Sequence, residues 1–441
     1  MVSRKAVSTS MALIAIIIVA AIAGGAGYYV GNSLGYSTGY QAGSSGGFQD
    51  GNRTGFQLGN QTGYLQGYQA GLSKGAPILP DVIKIGCLMD LSGGLGPMGV
   101  KIQLGAKLAV DEVNARGGIR GRPIQLIVED TETKPAKALE AARKLVEVDG
   151  VQVIIGPLIS GAARLVGPYV TEKRVLLITP SVSGPFLSYE FANGYVMRVC
   201  PSDELQAAAM SDLVLNGTHE RIAFLIMNNP YGLGIEGEVK KRVGNGTITI
   251  NYDETKLDYR AELESIKAAN PDVVVHVGYY EDGKVVFRQA LEAGLENVRW
   301  ITAEGCYGTP MLEDPMCAEF MSLAVTGTTP KPITGIIYDD FKARHREAFG
   351  MDPEVYGDTS YDAAMLAILG IAYCGEYNGT KIRDAVLEIS KNYIGPSGHK
   401  MFKPNGVDIM TASYIIWDIE EVSPGQYRIT HVAEWSPPSP G

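Results

Sequence analysis

The chain has 441 residues, a net charge of −10 and a pI near 5.2, and 45% of its residues are hydrophobic. This length predicts about two or three domains, and an acidic chain without a basic stripe is not expected to bind nucleic acid. Five cysteines exclude a disulfide scaffold, and five widely spaced histidines argue against a metal cluster. We therefore expect no metal and no cofactor.

Residues 11–30, MALIAIIIVAAIAGGAGYYV, form an uncharged apolar run that follows Arg4 and Lys5. The run is long enough to cross a bilayer as a helix. Basic residues before it, with none following until Arg53, predict that the rest of the chain faces outward. We expect residues 1–30 to be a signal or membrane anchor that holds the protein at the cell surface. The alternative is release after cleavage at small residues near the end of the run.

Glycine recurs at every fourth position from Gly27 to Gly75, thirteen times in succession. On an α-helix this spacing produces a slowly winding stripe that a second backbone can approach closely. Thirteen glycines would cost a lone helix roughly 10 kcal/mol relative to alanine, so association is needed to offset them. We predict that residues 31–79 form a helical stalk that pairs copies of the chain as a homo-oligomer. A flexible tether is the alternative.

From residue 82 onward, short apolar strands alternate with helices. The first series of strands lies at 82–89, 123–130, 151–156 and 175–179, and a second lies at 221–227, 247–251, 272–278, 299–305 and 323–327. Further helices are predicted at 338–349, 360–374 and 380–390. Alternation of this kind predicts parallel sheets covered by helices on both faces. Two such units in one chain predict two lobes.

Polar side chains follow five of the predicted strands. They are Ser160, Ser181 and Ser183, Tyr231, Tyr279, and Glu304. Each has an ordinary structural explanation, such as a helix N-cap at Ser160 or turn chemistry at the other serines. However, the carboxyl ends of parallel strands border the ligand crevice in such folds. Hydroxyls and helix-start amides suit a carboxylate and Glu304 suits an ammonium, so the set predicts a small zwitterionic ligand.

Catalytic interpretations find little support. The stretch GLGPMG at 94–99 has dinucleotide-loop spacing, but Pro97 lacks an amide where a pyrophosphate needs a donor. Ser160 stands outside a G-x-S-x-G elbow and has no histidine base nearby in the pattern. Cys306 and Cys317 are candidates for a disulfide near the site. We expect a binding protein and not an enzyme.

From about Val82 to Trp417 the chain resembles the periplasmic leucine/isoleucine/valine-binding proteins, the type I solute receptors of ABC importers. The segments that carry the resemblance occur in family order: IKIGCLMDLSGGLGPMG, GAKLAVDEVNARGGIRGRPIQLIVED, VIIGPLISGAAR, LITPSVSGP, SYDAAMLA and FKPNGVD. The resemblance implies an α/β fold with two Rossmann-like parallel sheets, one in each lobe, joined by hinge strands near 198–201, 326–330 and 411–414.

The resemblance also implies the domain organisation. Lobe 1 is expected to comprise 80–199 and 330–412, lobe 2 to comprise 200–329 and 413–435, and the tail to be 436–441. At the amino end, RKAVSTSMALIAIII is similar to the class III, pilin-type signals of archaea, which implies cleavage after Ala6 and an anchor helix that is retained.

Roles for the polar residues follow from the resemblance, position by position. Ser160 is expected to bind the ligand α-carboxylate, the backbone carbonyl of Ser181 to accept from its ammonium, and Ser183 to contact both ends. Glu304 is expected to meet the ammonium. Aromatic contacts from lobe 2 and the apolar pocket for the ligand side chain complete the expected set: Tyr231, Tyr279, Met98 and Leu158, with Tyr280 and Tyr307 as further candidates.

These observations predict the extracellular substrate-binding component of an ABC importer. It is expected to capture an amino acid, with branched-chain aliphatic amino acids as the leading ligands, by closure of the two lobes. An ABC permease would then recognise the closed form. The alternative is a sensory or structural surface assembly that displays amino-acid- or amide-binding lobes.

Overall fold

The computed structural model describes residues 79–217, 221–409 and 413–437. The predicted membrane anchor and almost all of the predicted glycine stalk lie outside the described residues. Within the described ranges, no helix is long and apolar enough to cross a membrane. The described part contains one five-stranded sheet, one seven-stranded sheet and a small two-stranded ribbon.

The first sheet belongs to lobe 1 and is parallel throughout. Its strands, in chain order, are β1 (Ile83–Met89), β2 (Ile124–Asp130), β3 (Val153–Ile155), β4 (Leu176–Thr179) and β5 (Val196–Arg198). Their spatial order is β2-β1-β3-β4-β5. The inner strands β3 and β4 are fully buried, as the continuous apolar runs in the sequence predict.

Helices cover both faces of this sheet. Those from the first part of the chain are α1 (Gly96–Ala115), α2 (Pro135–Arg143, which continues as a π-helical turn over Lys144–Val148), α3 (Ser160–Lys173) and the short α4 (Leu187–Glu190). The connection from β3 leads directly into α3. The connection from β4 to α4 carries the predicted serines.

The second sheet belongs to lobe 2 and is mixed. Its strands are β6 (Ile222–Met227), β7 (Ile248–Tyr252), β8 (Val273–Val277), β9 (Arg299–Thr302), β10 (Val325–Pro330), β13 (Tyr414–Ser423) and β14 (Gln426–Trp435). The order is β14-β13-β10-β9-β8-β6-β7, and β13 is antiparallel to both of its neighbours. The antiparallel hairpin of β13 and β14 was not predicted from the sequence. The helices of this lobe are α5 (Asp203–Leu215), α6 (Pro230–Val243), α7 (Arg260–Ala269), α8 (Tyr280–Glu292) and α9 (Pro315–Ala324).

After β10 the chain returns to lobe 1 as three helices. They are α10 (Ile336–Phe349), α11 (Gly357–Cys374) and α12 (Gly379–Ser390), and the ribbon of β11 (Ile394–Gly395) and β12 (Gly398–His399) follows. Helix α11 packs closely on α1 because Gly105 carries no side chain. A Cβ at Gly105 would lie 2.0 Å from the carbonyl oxygen of Gly357.

A buried arginine ties the returning chain to the end of the first sheet. Arg198, fully buried on β5, makes an ion pair with Asp408, and its Nε lies 2.7 Å from the carboxylate. The same guanidinium donates to the carbonyls of Ser183 and Gly184, at 2.5 and 2.9 Å, and to the hydroxyl of Ser188. Burial opposes ionisation, but Arg198 holds the pKa of Asp408 below its usual value. One side chain therefore fixes both the loop 180–186, which we call the serine loop, and the segment that leads to β13.

Loss of this buried charge partner is expected to be costly. Asp408→Asn leaves the Arg198 guanidinium buried without a counter-charge, so we predict a loss of about 3 kcal/mol in the free energy of unfolding. Denaturant titration of the variant and the wild type measures this difference. The control is Glu420→Gln, which breaks the exposed pair with Arg428 and is expected to cost at most about 1 kcal/mol. Equal effects of the two substitutions would contradict the role assigned to Arg198.

Candidate functional site

A cavity lies between the lobes at the carboxyl ends of the strands. The space inside it that is open to the centre of a water-sized sphere is about 40 Å³, so the cavity is narrow. All eight residues predicted to bind the ligand line it: Met98, Leu158, Ser160, Ser181, Ser183, Tyr231, Tyr279 and Glu304. The remaining lining residues are Leu95, Ile102, Gly305 and Tyr356. The structure thus brings all eight predicted residues together around one cavity. The role of each residue toward a ligand stays a prediction.

The polar wall of lobe 1 comes from the two connections after β3 and β4. Ser160 is the first residue of α3 and Ile159 is the N-cap, so the alternative explanation of Ser160 as an N-cap does not hold. No side chain caps this helix end, which leaves its first amides available to an anion. Ser181 donates its hydroxyl to the carbonyl of Leu158 at 2.9 Å, which fixes one connection against the other.

The aromatic wall of lobe 2 comes from the starts of α6 and α8. The rings of Tyr231 and Tyr279 stack with centroids 5.5 Å apart and planes 10° from parallel. Asn229 caps α6 by accepting from the amides of Tyr231 and Gly232, which sets the direction in which the first ring leaves the helix. The buried hydroxyl of Tyr231 has no hydrogen-bond partner among the described residues.

A buried polar network behind the wall positions Tyr279. Asp282 accepts from the backbone amide of Tyr279 at 3.0 Å and from the hydroxyl of Tyr252 at 2.5 Å. The Tyr252 hydroxyl also lies 3.2 Å from the Nε2 atom of His276. Burial raises the pKa of Asp282 to about 7 and lowers that of His276 to about 3. The network gives Asp282 a structural role in the second lobe.

Glu304 is the acidic group of the cavity. It is 4% exposed and begins a short 3₁₀ helix directly after β9. One carboxylate oxygen accepts from the hydroxyl of Tyr356, which precedes α11 in lobe 1, at 3.2 Å. The other oxygen is buried without a partner among the described residues. Glu304 therefore links the two lobes through one oxygen and leaves the second free for a donor in the cavity.

A second buried carboxylate lies near enough to Glu304 for the two negative charges to repel each other. Asp203 begins α5, its backbone amide donates to the carbonyl of Ser183, and its side chain is fully buried. Burial raises the pKa of Asp203 and that of Glu304, and the charge of Glu304 raises that of Asp203 further. Arg198, whose charge lowers the pKa of Asp203, is already paired with Asp408. A further positive charge would therefore stabilise the ionised form of both acids. A ligand ammonium would supply that charge.

The structure also places residues whose positions were not predicted or were predicted less firmly. Tyr356 was not predicted because its contact with Glu304 depends on a left-handed backbone at a helix start, φ +67°, which no local pattern indicates. Tyr280 and Tyr307 lie behind the lining, where the Tyr280 hydroxyl donates to the carbonyl of Tyr307. The proposed disulfide is not formed, since Cys306 and Cys317 are both free and buried.

Metal binding finds no support in the described ranges, which contain no cluster of three or more histidine, cysteine or acidic residues able to hold an ion. The lining instead combines four aliphatic or thioether side chains, three serines and one buried carboxylate. Such a set can bind a ligand that has an apolar side chain and charged groups of both signs.

Known proteins share this architecture. A Leu/Ile/Val-binding protein homolog of Brucella melitensis is 32% identical over 219 residues, which cover 48% of this chain. The chain spans 59% of the length of that relative. A branched-chain amino acid transporter substrate-binding protein from Streptococcus pneumoniae, solved in complex with isoleucine, has a TM-score of 0.68 and 24% identity, and the match covers 80% of this chain and 99% of that one.

The same fold also serves other ligands. A solute-binding protein of an ABC transporter from Rhodopseudomonas palustris, solved with 4-hydroxybenzoate, has a TM-score of 0.70 and 16% identity, and the match covers 80% of this chain and 97% of that one. The periplasmic binding protein family matches residues 82–418, which include the cavity and most of both sheets. The chain therefore belongs to the periplasmic binding protein family.

Proposed function

We propose that this protein is the substrate-binding component of an ABC importer and that it captures an aliphatic amino acid by closing its lobes around it. The observation that carries the proposal is the buried Glu304 carboxylate, whose free oxygen shares a cavity with Ser160 and Ser183. The carboxylate would pair with the ligand ammonium, and the uncapped start of α3 would bind the ligand carboxylate.

The apolar end of the cavity supports an aliphatic side chain. Leu95, Met98, Ile102 and Leu158 line it, and each is largely buried. No lysine or arginine is among the lining residues, so nothing there favours a second acidic group on the ligand. The ligands named for the relatives, leucine, isoleucine and valine, have the combination of groups that this cavity would accept.

Lobe closure is the expected binding mechanism, because lining residues come from both lobes. An open form would expose Glu304 and the serines to water, and closure would bury the paired charges where they attract more strongly. An ABC permease would recognise the closed form. The protein is proposed to need no cofactor and to carry out no chemistry.

Membrane attachment is part of the proposal. Residues 1–30 would act as an anchor, and residues 31–79 as a stalk that pairs copies of the chain, with secretion and a structural surface assembly as the alternatives. The support is the apolar run at 11–30 and the strict glycine spacing. The archaeal type of the signal stays a prediction from residues 4–18.

Removal of the Glu304 charge is expected to abolish most of the affinity. Glu304→Gln keeps the shape of the side chain but leaves the ligand ammonium buried without a counter-charge, so we predict binding about a hundredfold weaker. Isothermal titration of the full chain with L-leucine, L-isoleucine and L-valine gives the dissociation constants. The control is Glu281→Gln, an exposed acid paired with Lys284, which should leave affinity unchanged. Equal loss in both variants, or none in either, would contradict the assignment.

Self-association through the stalk is expected to depend on its small residues. Replacing three central glycines, Gly47, Gly51 and Gly55, by leucine would fill the stripe and block close approach of a second helix. Chemical cross-linking in membranes should then yield monomers where the wild type yields oligomers, while ligand affinity stays the same. Wild-type protein that remains monomeric under the same conditions would refute the stalk.

A further inference from the structure

We propose that Gly234 is a positioning residue that allows the cleft to close, through its contact with Pro185 on the opposite lobe. Gly234 lies in α6 of lobe 2, one turn after Tyr231, and Pro185 follows Ser183 by two positions in lobe 1. The inference rests on the proposed function because it concerns the closed form that would hold the ligand.

The contact leaves no room for a side chain at position 234. A Cβ there would lie 2.9 Å from the Cδ atom of Pro185, closer than real Cβ atoms approach. The proline ring is rigid, and Pro185 is buried between its neighbours, so the ring cannot turn aside. Relief would come only from moving α6 away from the serine loop, which is a movement of one lobe relative to the other.

A second glycine–proline contact crosses the cleft with the lobes exchanged, and it is an ordinary van der Waals contact. The Cβ position of Gly161, at the start of α3 in lobe 1, lies 3.7 Å from the Cδ atom of Pro230, the first residue of α6 in lobe 2. Each contact therefore places a glycine of one lobe against a proline of the other.

Backbone conformation does not explain the glycine. Gly234 lies inside a regular helix and is not among the described residues with positive φ. Alanine would strengthen such a helix, so glycine at this position is a disadvantage for folding alone. Gly237 in the same helix provides the contrast, because a Cβ there would meet nothing within 4 Å. The requirement at 234 is therefore for the interlobe contact.

The test compares two substitutions of the same chemistry in the same helix, made in the full chain. Gly234→Ala should weaken L-isoleucine binding by about tenfold or more, because overpacking penalises only the closed form. Gly237→Ala should bind as the wild type does. Both variants should unfold at or above the wild-type temperature, since alanine favours the helix in each. Equal affinities for the two variants would overturn the inference.

Two further measurements separate a positioning role from local damage. Hydrogen exchange of the lobe 1 segment 183–187 should accelerate in Gly234→Ala and stay unchanged in Gly237→Ala, although both substitutions lie in lobe 2. Adding Pro185→Ala to Gly234→Ala should restore both protection and affinity, because the opposing ring is gone. Failure of this rescue, or unchanged exchange, would contradict the inference.

If the proposed function is wrong, the binding measurement on the wild-type protein shows it separately. Wild-type protein that binds none of the aliphatic amino acids would refute the ligand assignment. The difference in hydrogen exchange between Gly234→Ala and Gly237→Ala in the ligand-free protein would then test the interlobe contact independently of any ligand.

Discussion

The buried carboxylate of Glu304 is the group on which the arrangement of the cleft depends. It comes from the end of a strand in lobe 2, receives a hydrogen bond from Tyr356 of lobe 1, and keeps one oxygen without a partner among the described residues. A buried charge of this kind is costly unless a cation or several donors satisfy it. A ligand ammonium would meet that demand, and a closed cleft would exclude the water that could otherwise do so.

Buried polar groups of the surrounding fold hold the two walls of the cavity in place. Arg198 fixes the serine loop from behind through the carbonyls of Ser183 and Gly184, and the same guanidinium binds Asp408 shortly before the chain crosses to β13. On the other wall, Asp282 fixes the backbone of Tyr279. Positioning therefore comes largely from buried polar groups outside the lining. Within the lining, the Tyr231 hydroxyl and one oxygen of Glu304 have no partner among the described residues.

Much of this could be predicted from the sequence, for identifiable reasons. Strand ends in parallel sheets converge on one crevice, so Ser160, Tyr231 and Glu304 could be grouped without knowing their distances. The β13–β14 hairpin was missed, and so was Tyr356, because its role follows from a left-handed backbone and a contact across the lobes. Contacts between distant parts of the chain leave no periodicity in either segment, and the Gly234–Pro185 contact is of the same kind.

The central claim is that the cleft binds a zwitterion and not merely an organic acid, which the same fold also accepts in other proteins. The most direct measurement is calorimetric titration of one preparation with L-leucine and with 4-methylpentanoate, which is leucine without its amino group. Our account predicts binding of leucine and a loss of at least about a hundredfold for the analogue, because Glu304 would then be buried against no cation. Equal binding of both compounds, or preference for the acid, would contradict it.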